Sequence, residues 1–164
     1  MTQRSYHSKL STPIGELLLT SNGSALTGVY LEETTPDAGS QENDEVLSEA
    51  REQLTAYFAG TRTVFDLPLA LSGTPFQLSV WEKLEDIPFG TTISYGEQAR
   101  RLDQPNASRA VGSANGRNPI PIIVPCHRVI GASGDLTGYG GGLERKRWLL
   151  KHEAAVLASL GALV

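Results

Sequence analysis

The sequence predicts an α+β protein, with a small N-terminal α/β unit of antiparallel strands over residues 1–73 and a mainly helical unit over 74–164. Three observations carry that reading. Two strand-like runs rich in Leu, Val and Tyr are joined at Asn22-Gly23, a strong turn signal that predicts a hairpin. Helix-start grammar appears abruptly after Leu71-Ser72-Gly73, where Thr74-Pro75-Phe76-Gln77 offers an N-cap, a first-turn proline and a capping-box glutamine. Residues 94–115 then read as helix, four-residue turn, helix, the pattern of a helix-turn-helix.

Taken in order, residues 16–20 and 25–31 are the hairpin strands, and 34–44 is a polar loop with Pro36 and Gly39. Val46, Leu47, Ala50, Leu54, Tyr57 and Phe58 share one face of a helix that ends at Gly60. Residues 64–71 are expected to return as another strand. In the second unit Phe76, Val80, Leu84 and Ile87 form a buried stripe, and Ser94-Tyr95-Gly96-Glu97 is a second capping box opening a short helix. Asp103-Gln104-Pro105-Asn106 turns the chain into a helix over 107–115, stopped by Gly116. Ile120-Pro121-Ile122-Ile123-Val124 reads as a buried apolar strand, and a last helix from Leu143 carries Glu153 near its C-terminal end.

Composition limits the class of protein. At 164 residues with 40% hydrophobic content the chain can fill one moderate core or two small ones. No stretch is apolar for long enough to span a membrane, and Met1-Thr2-Gln3-Arg4-Ser5-Tyr6 lacks the apolar run of a signal peptide, so a cytoplasmic location is expected. A single cysteine excludes an intrachain disulfide and suits a reducing compartment. The net charge of −4 hides an asymmetry: residues 1–99 hold 5 Lys and Arg against 14 Asp and Glu, whereas residues 100–164 hold 9 against 4. A basic half of this kind is either an ordinary solvated surface or a face for nucleic acid.

The one cysteine, Cys126, stands in Pro125-Cys126-His127-Arg128 at the end of the apolar run. A lone intracellular cysteine is most often a small buried hydrophobe. Here the strand end and the prolines at 121 and 125 place it facing a cleft, with a histidine next to it. The thiolate is the nucleophile, so the site has to lower a free-cysteine pKa of roughly 8.5 through a base, a positive charge or a helix N-terminus. His127 and Arg128 are the adjacent candidates.

Ile123-Val124-Pro125-Cys126-His127-Arg128-Val129-Ile130 resembles the active-site segment of the O6-alkylguanine-DNA alkyltransferases, the methylated-DNA-protein-cysteine methyltransferases. The resemblance covers residues 74–153 and includes Ser94-Tyr95-Gly96, Ser108-Arg109-Ala110-Val111-Gly112, Gly116-Arg117-Asn118-Pro119 and Tyr139-Gly140-Gly141-Gly142-Leu143. Each motif alone is weak; together they are specific.

The resemblance implies a ribonuclease H-like N-terminal unit and a DNA-binding unit whose second helix enters the minor groove of double-stranded DNA bearing alkylated bases. That helix is made of small residues, and Arg109 would fill the gap left by the extruded nucleotide, with Ser108, Ala110, Asn115 and Arg128 completing the DNA-binding set. Extrusion is needed because a thiol cannot align behind an alkyl carbon on a stacked base. By the same resemblance Tyr95 rotates the target phosphate and hydrogen-bonds the purine. Val129, Tyr139 and Gly140 line the base pocket, and Asn118 is a hinge between the groove helix and the active-site segment. Cys126 gives its proton through a water to His127, which Glu153 orients. The product is a thioether, so each molecule acts once and needs neither cofactor nor metal. With one Cys and three His, of which only His7 is N-terminal, the chain also lacks the N-terminal zinc site of some relatives. A monomer is expected, with cooperative binding along DNA left open. Alkyl size is open too, because Gly140 stands where some relatives have a hydroxyl residue.

Three other readings compete. A noncatalytic alkyl-lesion recognition protein would share the fold and lack the cysteine. A cysteine hydrolase would turn over esters or amides without a helix-turn-helix. A helix-turn-helix redox sensor would prefer one undamaged sequence over a lesion.

Overall fold

The computed structural model describes residues 5–31, 35–134, 136, 139 and 142–161. The chain divides into two compact units, 1–72 and 73–164.

In the first unit β1 (Tyr6–Thr12), β2 (Gly15–Ser21), β3 (Leu26–Tyr30) and the short β4 (Gln41–Glu42) form a sheet of order β3-β2-β1-β4. The expected hairpin is β2–β3: Gly23 takes φ 96°, and the Asn22 side chain accepts from the amides of Ser24 and Ala25, both at 2.9 Å. Helix α1 (Glu45–Ala59) starts where Asp44 accepts from the Leu47 amide at 2.7 Å and stops at Gly60 in the left-handed region. Leu47, Leu54 and Tyr57 of α1 are fully buried, as are Leu17, Leu19 and Leu26 of the sheet. Each contributes roughly 1.5–3 kcal/mol relative to an exposed side chain.

Two expectations fail here. β1 and β4 arise in stretches not read as strands, because β1 buries only Leu10 and β4 is two exposed residues long. Residues 64–71 do not return as a strand. They are held by one parallel bridge, Leu26 to Leu69, and by Gln53, whose amide pairs with both backbone groups of Asp66 at 2.8 and 2.9 Å. Pro68 has no amide hydrogen to extend the ladder.

In the second unit α2 (Pro75–Leu84) has the complete capping box between Thr74 and Gln77. Its Trp81 is buried and donates Nε1–H to the Ala114 carbonyl at 2.8 Å, locking α2 to α4 (Ser108–Gly116). Helix α3 (Tyr95–Arg101) realises half of the second capping box: Ser94 accepts from the Glu97 amide, but the Glu97 carboxylate turns to Arg100 and Arg101. The α3–turn–α4 pair is the expected helix-turn-helix.

The apolar run 120–124 is buried but is not a strand. Ile122 takes φ 76°, a left-handed conformation that costs a β-branched residue on the order of 1–3 kcal/mol. Two prolines deny the run a ladder, and Asn118 takes its backbone instead, donating to the Val124 carbonyl at 2.7 Å and accepting from the Ile120 amide at 2.9 Å. A single 3₁₀ turn (Cys126–Arg128) follows, then β6 (Val129–Ile130), parallel to β5 (Ile93–Ser94). Helix α5 (Leu143–Gly161) runs well past Glu153, so that residue lies inside the helix and not near its end. No described helix is long and apolar enough to cross a membrane.

Candidate active site

The site is built where the 3₁₀ turn meets one face of α5. A 3₁₀ turn sends consecutive side chains in three directions about 120° apart, and all of Cys126, His127 and Arg128 are buried. Lys146, Leu149 and Glu153 recur at helical spacing and form the buried face of α5.

Glu153 is the centre of the cluster. Its Oε2 accepts from His127 Nε2 at 2.6 Å and from Arg128 Nη2 at 3.1 Å. Its Oε1 accepts from Arg128 Nε at 2.9 Å and from the Gly90 amide at 3.0 Å. Gly90 has φ 80°, and a Cβ there would collide with Leu157, so glycine is required for this donor. Burial pushes the Glu153 carboxyl up, but His127 and Arg128 outweigh it and hold it well below the usual carboxylate range. An ionised carboxylate only accepts, so Nε2 of His127 carries the hydrogen and Nδ1 the lone pair. Among the described residues that Nδ1 is buried without a partner. Burial first, then the charges of Arg128 and Lys146, lower the His127 pKa against the pull of Glu153. The ring is therefore a neutral base whose accepting nitrogen is free.

Cys126 corrects an expectation. Its side chain does not face an open cleft: the residue is 6% exposed, and burial pushes the thiol up to about 11. Asn118 and Lys146 pull it down but do not win. The site holds a protonated thiol beside a neutral base, and thiolate formation waits on proton removal.

Lys146 was not singled out from the sequence. It is 1% exposed, donates Nζ to the Val129 carbonyl at 2.6 Å and lies 5.7 Å from the Tyr95 ring centroid. Its signal was available: residues 146, 149 and 153 fall on one helical face. Tyr139 is buried, and its hydroxyl has no partner among the described residues. Both backbone groups of Val129 are engaged, the amide with Cys126 and the carbonyl with Lys146. Gly140 lies outside the described residues.

The expected DNA-binding set separates in two. Arg109 and Ala110 are exposed on α4 and Ser108 is half-buried, while Tyr95 at the start of α3 lies against Gly112. Asn115 and Arg128 do not reach that surface. Asn115 is buried in a reciprocal amide pair with Gln98 at 2.7 and 3.0 Å, and Arg128 is committed to Glu153 and to the Ile87 carbonyl. Each satisfies an interior partner that would otherwise be left unpaired, which departs from the exposed position expected of a DNA-binding residue.

Comparison with known proteins places this geometry. Residues 5–71 match the family model of the 6-O-methylguanine DNA methyltransferase ribonuclease-like domain, and residues 75–155 match that of the same family's DNA-binding domain. The chain belongs to this family. A Mycobacterium tuberculosis methylated-DNA--protein-cysteine methyltransferase is 54% identical over 157 residues, covering 90% of this chain and 92% of the relative. One from Methanosarcina acetivorans is 50% identical over 92% of this chain and 99% of its own. Among solved structures, Mycobacterium tuberculosis OGT in complex with DNA superposes with a TM-score of 0.86 at 52% identity, covering 92% of this chain and 94% of that one. The N-terminal unit is the family's ribonuclease-like domain, and the buried cluster of Cys126, His127 and Glu153 lies within the stretch matched to its DNA-binding domain.

Proposed function

We propose that this protein repairs double-stranded DNA by direct, irreversible transfer of a methyl or larger alkyl group from O6-alkylguanine to Cys126, once per molecule. The observation that carries the reading is the chain's only thiol, buried beside a histidine whose Nδ1 is free and whose Nε2 is fixed on an ionised carboxylate.

Exposed Arg109 on the small-residue helix α4 enters the minor groove and takes the place of the extruded base, while Tyr95 steers the phosphate and meets the purine. Flipping costs a few kcal/mol, less for a weakly paired alkylated base, and this contributes to lesion selectivity. Once the base covers the site, the Cys126 proton passes to His127 Nδ1 through a bridging water and the thiolate attacks the alkyl carbon in line with O6. The O6–carbon bond breaks, the sulfur–carbon bond forms, and the proton lost by the thiol ends on guanine, so charge balances. Lys146 offsets the thiolate's charge in a dry interior, where a nearby cation counts for most. The unpartnered Tyr139 hydroxyl offers the incoming base a hydrogen bond. A thioether has no hydrolytic exit, and turnover stops there. The protein acts as a monomer in a reducing compartment.

The test is intact mass after incubation with a duplex bearing one O6-methylguanine, followed by peptide mapping. The expected result is one added methylene on the Cys126 peptide, saturating at one per protein and absent in Cys126→Ser. Unchanged mass with tight lesion binding would make this a recognition protein instead.

A further inference from the structure

Arg128 places its guanidinium in the interior, where the residue is 6% exposed. Nε and Nη2 fork onto the two oxygens of Glu153, Nη1 holds the Ile87 carbonyl at 2.7 Å, and the guanidinium sits 5.7 Å over the Phe89 ring. A buried ion pair is weak evidence for stability, because a well-packed apolar pair of similar volume often does as well. The charge therefore calls for a role toward its neighbours.

Glu153 at 2.6 Å draws a proton toward His127 against the burial of the ring, and a protonated Nδ1 cannot accept another. Arg128 opposes this twice, as a cation beside the ring and as the partner that draws on both carboxylate oxygens. Resting on the alkyl-transfer reading, we propose that Arg128 is a positioning residue for thiol activation: it divides Glu153 with His127, so that the ring stays oriented but uncharged and Nδ1 stays open to the Cys126 proton. When that proton moves from Sγ to Nδ1, the guanidinium, carboxylate, imidazolium and thiolate sum to zero, as they did before. Three other groups face this cluster. Lys146 from α5 adds a second cation that disfavours the imidazolium, and Cys126 and Tyr139 are both uncharged until transfer begins.

Alkylation of Cys126 by iodoacetamide, followed against pH on the full chain by intact mass, tests this without DNA, so its failure is distinguishable from failure of the repair reading. Arg128→Met is expected to move the acid limb of the rate up by about one pH unit, slowing alkylation about tenfold on that limb, because losing a cation raises the pKa of both the ring and the thiol. Arg128→Lys, which keeps the charge without the fork, is expected to move it less than half as far. An unmoved limb in folded Arg128→Met, a shift to lower pH, or an equal shift in Arg128→Lys overturns the proposal. If Arg128→Met does not fold, ¹⁵N-histidine spectra of the wild-type protein decide. A neutral His127 ring with its hydrogen on Nε2 at about pH 7 is expected, and an imidazolium or an Nδ1–H tautomer overturns the proposal.

Discussion

In the N-terminal unit the fully buried side chains include Leu17, Leu19, Leu26, Leu47, Leu54 and Tyr57, and the buried polar residues among those described are the neutral Ser21 and Gln53. In the C-terminal unit His127, Arg128, Lys146 and Glu153 are buried beside Val80, Trp81 and Leu149. The first interior is explained by area removed from water. The second is not, because desolvating ions costs several kcal/mol each and their pairing does little more than recover it. What distinguishes the units is that one interior is apolar, whereas the other holds an ionised Glu153 bonded to both His127 and Arg128.

The largest expected effect attacks that second interior. Glu153→Ala leaves Arg128 buried without its anion and His127 without its anchor, and should cost about 3–5 kcal/mol of unfolding free energy, with loss of alkyl transfer. The double variant Arg128→Met/Glu153→Leu should recover much of the stability and none of the activity. Urea melts and the intact-mass assay read both, and a loss under about 1 kcal/mol in the single variant would mean the cluster is solvated.

Leu54→Ala in α1 should cost a comparable or smaller amount, about 2–5 kcal/mol, through the cavity it leaves. Unlike Glu153→Ala, it should leave Cys126 alkylation per folded molecule at the wild-type rate. A changed rate in the folded fraction would break the division of labour between the units.

The two interiors were also unequally legible in the sequence. Local signals read well in both: the Asn22-Gly23 turn, the Asp44 and Gly60 ends of α1, the Thr74–Gln77 box and the α3–α4 pair all depend on residues a few positions apart. Pairings across long separations did not. Nothing near residues 64–71 announces that Gln53 will take the hydrogen bonds a strand partner would have taken. The apolar run at 120–124 is a different case: Asn118 and the two prolines stand close by, and its hydrophobic pattern hid the turn they make. Asn115 and Arg128 look like surface groups by residue type, and only Gln98 and Glu153, 17 and 25 positions away, make them interior ones.

A smaller effect separates the units by pH. His127 has a folded pKa below its unfolded value of roughly 6.5, so its contribution is complete above that pH and is lost as pH falls toward the folded value. Glu153, also depressed, contributes above roughly pH 4.3 and loses that contribution below it. Stability should therefore fall in two acid stages, each with a slope of up to about 1.4 kcal/mol per pH unit. His127→Gln should remove the upper stage and Glu153→Gln the lower. A wild-type upper stage in His127→Gln would assign it to another group.

The smallest expected change in stability belongs to Arg109, exposed on α4, where replacement by alanine should stay within about 0.5 kcal/mol. Its functional effect should nevertheless be selective. Free O6-alkylguanine needs no unstacking and reaches Cys126 without help from α4, so Arg109→Ala should react with the free base at the wild-type rate. On the proposed reading a duplex makes the protein hold the base out of the stack against a few kcal/mol, and losing the side chain proposed to fill the gap should slow that reaction tenfold or more, about 1.4 kcal/mol. The ratio of the two rates isolates flipping from chemistry. Equal slowing on both substrates would mean that Arg109 acts through the buried cluster and that α4 is not the groove-entering helix.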